Sequence, residues 1–171
     1  MTDKQTDWNL VEEVKAGDDR AFVAIMERYK RPLLSFVYRM IGDASEAEDV
    51  AQDVFVRTYQ NIRKPAFRRT TAEFSTWLFQ VARNAAIDCL RRRKRRPVES
   101  LTTLEEDGQD AAVTERTADR EIAIKEIGEQ IAVAVALLPE DQKTAFILSE
   151  YQELSYAEIA AIMKCSEKSV E

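Results

Sequence analysis

The chain has 171 residues, 45% of them apolar and 33% charged, with a formal net charge of −6. That length suits one or two small domains, and four glycines with four prolines are too few for a turn-rich all-β protein. No apolar run reaches the roughly 18–20 residues of a membrane-spanning helix, and residues 1–7 are polar and acidic rather than a signal peptide, so no membrane insertion and a cytoplasmic location are expected.

Helical periodicity runs through most of the sequence. Trp8, Leu10, Val11 and Val14 mark a short first helix that stops at Gly17. Asp18 or Asp19 caps a second helix with Phe22, Ile25, Met26 and Tyr29; Pro32 breaks or kinks it, and the pattern resumes through Leu33, Phe36, Val37, Met40 and Ile41 to Gly42. Ser45 opens a third helix, with Glu48 completing a capping box. On a helical wheel Ala47, Val50, Ala51, Val54, Phe55, Thr58 and Ile62 form a core side. Asp49, Gln52, Asp53, Val56 and Gln60 form an acidic stripe holding one valine.

Lys64 and Pro65 end that helix, and a basic loop follows with Arg68, Arg69 and Thr70. A fourth helix, from about Glu73, buries Phe74, Trp77, Leu78, Val81, Ala82, Ala85 and Cys89, with Gln80, Arg83, Asn84, Ile87 and Arg91 opposite. It ends in six consecutive cations, Arg91, Arg92, Arg93, Lys94, Arg95 and Arg96. Residues 97–118 lose the periodicity, are rich in acids, and read as a mobile linker. A fifth helix carries Ile122, Ile127, Ile131, Val135 and Leu138; Pro139, Glu140 and Asp141 start a sixth with Thr144, Phe146, Ile147, Leu148 and Tyr151. Ser155 and Glu158 form a capping box for a short helix, Lys164 and Cys165 make a turn, and Ser166 caps a further helix. The fold class is therefore all-α: two small helical domains, 1–96 and 119–171, joined by a flexible acidic linker.

Charge separates the halves more sharply than its sum suggests. Residues 1–98 carry 19 basic and 14 acidic side chains, whereas residues 99–171 carry 6 and 17. Such a division reads as two units with different partners. With no histidine, any catalysis would fall to Asp, Glu, Lys, Cys or Tyr, and no phosphate-loop, dinucleotide or nucleophile-elbow motif is present. A non-enzymatic protein without cofactor is expected. Two cysteines and no histidine argue against a zinc site or a disulfide scaffold.

The cation run reads as a phosphate-binding segment, beyond what favourable placement at a helix C-terminus requires. Phe67, Phe74, Trp77 and Phe79 stand near it and could stack on unpaired bases, although Phe74 and Trp77 fit the core by spacing. The acidic stripe is either a solvated face or a docking face for a basic partner. Residues 155–171 have the layout of a helix-turn-helix, or of an ordinary helical hairpin. A freestanding helix-turn-helix regulator would explain only that last segment. A helical adaptor binding an acidic surface would leave the hairpin unexplained.

In combination these segments strongly resemble the minimal bacterial sigma factors of the extracytoplasmic-function class. The resemblance is carried by residues 49–55 (DVAQDVF), the basic loop, residues 74–84 (FSTWLFQVARN) running into 88–95 (DCLRRRKR), and then 138–143 (LPEDQK) and 154–160 (LSYAEIA). It implies a sigma region 2 domain whose helix with Asp49, Gln52, Asp53, Val56 and Gln60 docks on the clamp helices of the RNA polymerase largest subunit. It implies that Lys64, Arg68, Arg69 and Thr70 lie in a loop that captures a flipped base of the −10 element. Gln80, Arg83, Asn84, Ile87, Arg91, Arg92, Arg93, Lys94, Arg95 and Arg96 would line the duplex- and strand-facing side. A region 4 domain would read the −35 element of promoter DNA, with Ser166, Lys168 and Ser169 as this chain's candidates. An anti-sigma factor is the further partner implied. Members of the class continue the last helix beyond Glu171, so region 4 reads as C-terminally shortened and its −35 binding as weakened.

Overall fold

The computed structural model describes residues 6–95, 128 and 130–170. The expected linker 97–118, Arg96, Ile122 and Ile127 lie outside the described residues. Among the described residues every regular element is helical.

Helix α1 spans Asp7–Lys15 and buries Trp8, Leu10, Val11 and Val14. Gly17 follows with φ +102°, a left-handed conformation that favours glycine and reverses the chain. Asp18 then caps α2 (Asp19–Ile41), its carboxylate accepting the amide of Arg20 at 2.9 Å. Pro32 neither breaks nor ends α2. It removes one helix donor, but Ile25 and Tyr29 before it and Leu33, Phe36 and Val37 after it keep one apolar face on the core. Gly42, at φ +78°, closes the helix.

Asp43, not Ser45, caps α3 (Ala44–Ile62), because the chain leaves Gly42 in an extended conformation at Asp43, whose side chain accepts the amide of Glu46 at 2.8 Å. Ser45 already lies inside the helix. The buried face of α3 is Ala47, Val50, Ala51, Val54, Phe55, Thr58 and Ile62, the set expected from the wheel. Helix α4 (Phe74–Arg95) packs against α2 and α3, with the Phe36 and Phe79 rings in edge contact at 5.6 Å. Its buried set also includes Thr76, Phe79, Ala86 and Ile87, which the simple apolar stripe omits.

In the second half, residues 130–136 form helix α5, followed by α6 (Glu140–Glu150) and α7 (Tyr156–Met163). Ile131, expected in the core, is 42% exposed, while Val135 is buried. The α7 capping box forms as predicted, with Ser155 accepting the Glu158 amide and Glu158 accepting the Ser155 amide. Lys164 ends α7 in the left-handed conformation, and a single 3₁₀ turn, Glu167–Ser169, follows.

The two halves pack against each other. α7 lies on α4 and α6 on α2. Thr144 Oγ1 sits 3.6 Å from Met40 Sδ, Gln152 Nε2 donates to the Pro32 carbonyl at 3.3 Å, and the Arg39 guanidinium lies 3.5 Å above the Tyr151 ring. This contact explains why α4 is buried around more of its surface than a single apolar stripe allows.

Cys89 and Cys165 are both free thiols, one buried and one exposed. Burial pushes the Cys89 thiol above its ordinary pKa, and the Glu46 carboxylate adds to that shift. Cys165 is therefore expected to react with a thiol reagent at neutral pH well before Cys89, as two-phase kinetics that collapse to one fast phase in denaturant. Asp43→Ala is expected to cost about 1 kcal/mol in chemical denaturation, whereas Ser45→Ala changes stability by only a few tenths of a kcal/mol, about the size of ordinary surface substitutions.

Candidate functional site

The acidic stripe stands free on α3. Asp49, Gln52, Asp53, Val56 and Gln60 are all exposed, opposite a fully buried face. Val56 is 54% exposed, and Asp53 pairs at 2.7 Å with Arg57 one turn on, both side chains about half in solvent. Such a pair adds little stability, so the stripe is a surface held rigid by the helix beneath it and open to a partner.

Between α3 and α4, residues 64–73 form a loop without regular structure. Lys64, Arg68, Arg69 and Thr70 are exposed along it. Lys64 Nζ donates to Asn61 Oδ1 at 2.7 Å, Arg68 reaches the carbonyls of Pro65 and Phe67, and Thr70 Oγ1 donates to the Ala72 carbonyl at 3.4 Å. Among the described residues no hydrogen bond or ion pair engages Arg69. Phe67 is not a free stacking platform. Its ring is half-buried, 6.1 Å from Trp8 and 4.9 Å from Trp77. Phe74 and Phe79 are core residues and Trp77 is half-buried.

The far side of α4 is more enclosed than its polarity suggests. Asn84 and Arg91 are exposed, but Ile87 is only 7% exposed and faces the start of α6. Arg83 binds Asp141 at 2.6 Å with its own side chain only 16% exposed, and Gln80 Nε2 lies 3.5 Å from the Ile162 carbonyl. The Arg83 Nε is buried without a partner among the described residues, which leaves part of that guanidinium unsatisfied in the present contact.

The cation run is partly committed as well. Arg93 bonds the Ile41 carbonyl at 3.1 Å and pairs with Glu46, Lys94 pairs with Glu140 at 3.1 Å, and Arg92 Nε reaches the Asp88 carbonyl at 3.4 Å. Arg91 and Arg95 are exposed, and Arg96 lies outside the described residues. Glu140 and Asp141 thus do more than begin a helix: they set two carboxylates against two cations of α4. Next to them, burial draws the Lys143 ammonium below its ordinary pKa, which the neighbouring Lys94 reinforces and Glu140 opposes.

At the end of the chain, Ser166, Lys168 and Ser169 are exposed. Ser166 makes no capping bond to the backbone; its hydroxyl lies 2.9 Å from that of Ser169. Three regions with unlike chemistry therefore share one helical scaffold: an acidic helix face, a basic loop running onto a cationic helix, and a terminal hairpin.

Comparison with known proteins matches each part. Residues 25–96 fit the family model of Sigma-70 region 2, and residues 128–171 that of Sigma-70, region 4. The RNA polymerase sigma-H factor of Pseudomonas aeruginosa is 37% identical over 169 residues, covering 96% of this chain and 86% of the relative. The ECF RNA polymerase sigma factor SigW of Bacillus subtilis is 34% identical over 163 residues, covering 90% and 82%. Two solved structures share the fold: CnrH in complex with the cytosolic domain of CnrY (TM-score 0.64, 23% identity, 96% of this chain and 86% of that one), and RpoE in complex with the anti-sigma factor NepR from Bartonella quintana (TM-score 0.61, 21% identity, 87% and 86%). With both regions present in order and relatives aligned along nearly its whole length, the chain belongs to the extracytoplasmic-function group of the sigma-70 family of RNA polymerase sigma factors.

Proposed function

We propose that this sigma factor works without catalytic chemistry of its own, in the cytoplasm, by gripping core RNA polymerase with α3 and opening promoter DNA with the 64–73 loop and α4. The observation that carries this is the α3 stripe. Asp49, Gln52, Asp53, Val56 and Gln60 present both charge and an apolar spot and are all exposed, with Asp49 at the edge beside Arg92 and Arg93 of α4. A rigid, exposed, acidic face with one large apolar residue suits a basic protein surface such as the polymerase clamp helices.

The loop and α4 take the −10 element in this reading. Lys64, Arg68, Arg69 and Thr70 hold an unstacked base, and Gln80, Arg83, Asn84, Ile87 and residues 91–96 follow the strand. Melting is favoured because a base leaving the stack gains a polar pocket while its phosphates meet cations. Ser166, Lys168 and Ser169 serve as the −35 contacts, with the domain boundaries at 1–96, 97–118 and 119–171. An anti-sigma factor as a further partner is supported by the RpoE–NepR likeness. A freestanding helix-turn-helix regulator would use residues 155–171 and leave region 2 idle.

Two of the proposed DNA cations are occupied by acids of α6, Arg83 by Asp141 and Lys94 by Glu140, while Arg93 is paired with Glu46 of α3. Strand binding therefore requires α6 to leave α4. Glu140→Ala with Asp141→Ala is expected to raise the affinity of the chain for single-stranded DNA several-fold in a fluorescence titration; an unchanged affinity would show that these acids do not compete with the strand.

Asp53→Arg is expected to weaken binding to core polymerase by about tenfold, read by pull-down without DNA, and wild-type recovery would remove the docking role of α3. Arg91→Glu with Arg92→Glu is expected to leave polymerase binding intact and abolish promoter opening. A permanganate footprint that still reports open DNA would contradict that assignment.

A further inference from the structure

Helix α1 lies outside both segments that match the sigma-70 region models, yet two of its side chains hold the loop that carries Arg68, Arg69 and Thr70. Trp8 and Lys15 stand two turns apart on α1, on one face and about 10 Å from each other along the axis. The Trp8 indole N–H donates to the Ala72 carbonyl at 3.1 Å, and the Lys15 ammonium donates to the Phe67 carbonyl at 2.7 Å. Between those two carbonyls lie residues 68–71, all exposed. The loop is thus an arch with both feet pinned to one helix.

The same two carbonyls also receive the loop's own candidate contacts. Arg68 Nη1 reaches the Phe67 carbonyl at 3.3 Å, and Thr70 Oγ1 reaches the Ala72 carbonyl at 3.4 Å. Each foot therefore joins an α1 donor to a side chain proposed to touch the strand. The Phe67 ring, lodged between Trp8 and Trp77, prevents the first foot from turning. A core tryptophan and a lysine favoured at a helix end account for the presence of these residues on α1. They do not account for both polar groups meeting the two ends of one loop that has no ladder bonds of its own.

We propose that Trp8 and Lys15 are positioning residues for strand capture, holding the carbonyls of Ala72 and Phe67 so that Arg68, Arg69 and Thr70 are aimed before nucleic acid arrives. This rests on the reading of the loop as a strand-binding segment. Pre-ordering the loop removes an entropic cost from the binding step, so its loss appears as weaker strand affinity with unchanged polymerase docking.

The test uses the full chain assembled with core RNA polymerase, titrated with a labelled duplex that carries a short unpaired bubble of mixed sequence, over a range of salt concentrations. Lys15→Met and Trp8→Phe are each expected to weaken bubble binding by about three- to tenfold, because the aimed conformation of the loop becomes less populated, with polymerase affinity unchanged and each variant still unfolding cooperatively. Lys15→Arg, which keeps the donor, is expected to restore the affinity. Arg69→Ala serves as the reference: it is expected to weaken binding and to reduce the salt slope by about one, whereas Lys15→Met leaves the slope as it was. Wild-type affinity in Lys15→Met beside a weakened Arg69→Ala overturns the proposal. So does a slope that falls equally in both, since Lys15 would then be touching phosphate itself. Wild-type affinity in Arg69→Ala instead removes the strand-binding reading of the loop, and the proposal with it. Should Trp8→Phe fail to fold, Lys15→Met decides alone.

Discussion

A helix with apolar residues around most of its circumference has to be covered from more than one direction, and α4 is such a helix. Phe74, Leu78, Ala82 and Ala85 belong to the first bundle's core, Phe79 meets Phe36 of α2, and Ile87 is buried toward the start of α6. α1, α2, α3 and α7 all pack on it. Removing α6 and α7 would return Ile87 to water, at an apolar cost of about 1.5–3 kcal/mol for a side chain of that size. Ile87 is not alone in this: Ile147, Leu148, Ile159 and Ile162 belong to the same buried cluster, so apolar contact dominates the packed arrangement and the two ion pairs add to it.

The chemistry of the competition follows from charge. The first half is net basic and the second half net acidic, and the two meet where Asp141 and Glu140 face Arg83 and Lys94. Both acidic partners are well exposed or only partly covered, so these pairs are screened by salt and individually weak. A polyanion offers many phosphates against two carboxylates. The packed arrangement is thus held mainly by apolar contact and only modulated by charge, while nucleic acid would be held mainly by charge.

The polymerase-facing and DNA-facing regions differ in how they are supported. α3 presents its stripe from a helix fixed by seven buried side chains, so its side chains need no help from neighbours to stay in register. The loop has no such ladder. Its shape depends on donors supplied from elsewhere, Trp8 and Lys15 on α1, and on the ring of Phe67 lodged between two tryptophans. Rigid docking faces and loop-borne recognition are thus stabilised by different physics within the same ninety residues.

Period and capping chemistry alone determined helices α1 to α4, α6 and α7, the buried and exposed faces of α3, and the Ser155–Glu158 cap, because those depend on residues three and four apart, whereas the helix expected after Ser166 is a single 3₁₀ turn. The α3 cap moved from Ser45 to Asp43 because the left-handed Gly42 sets where the next helix can begin, a backbone event that side-chain spacing does not report. The residues of the far face of α4 were legible as polar and cationic, but not that Arg83 and Ile87 are covered, since their covering partners lie more than fifty residues away. Trp8 was legible as core; that its N–H, like the ammonium of Lys15, ends on a loop carbonyl more than fifty residues distant was not. A sequence pattern records what each residue needs from its neighbours along the chain, whereas hydrogen bonds and ion pairs between distant segments exist only once packing has brought them within about 3 Å of each other.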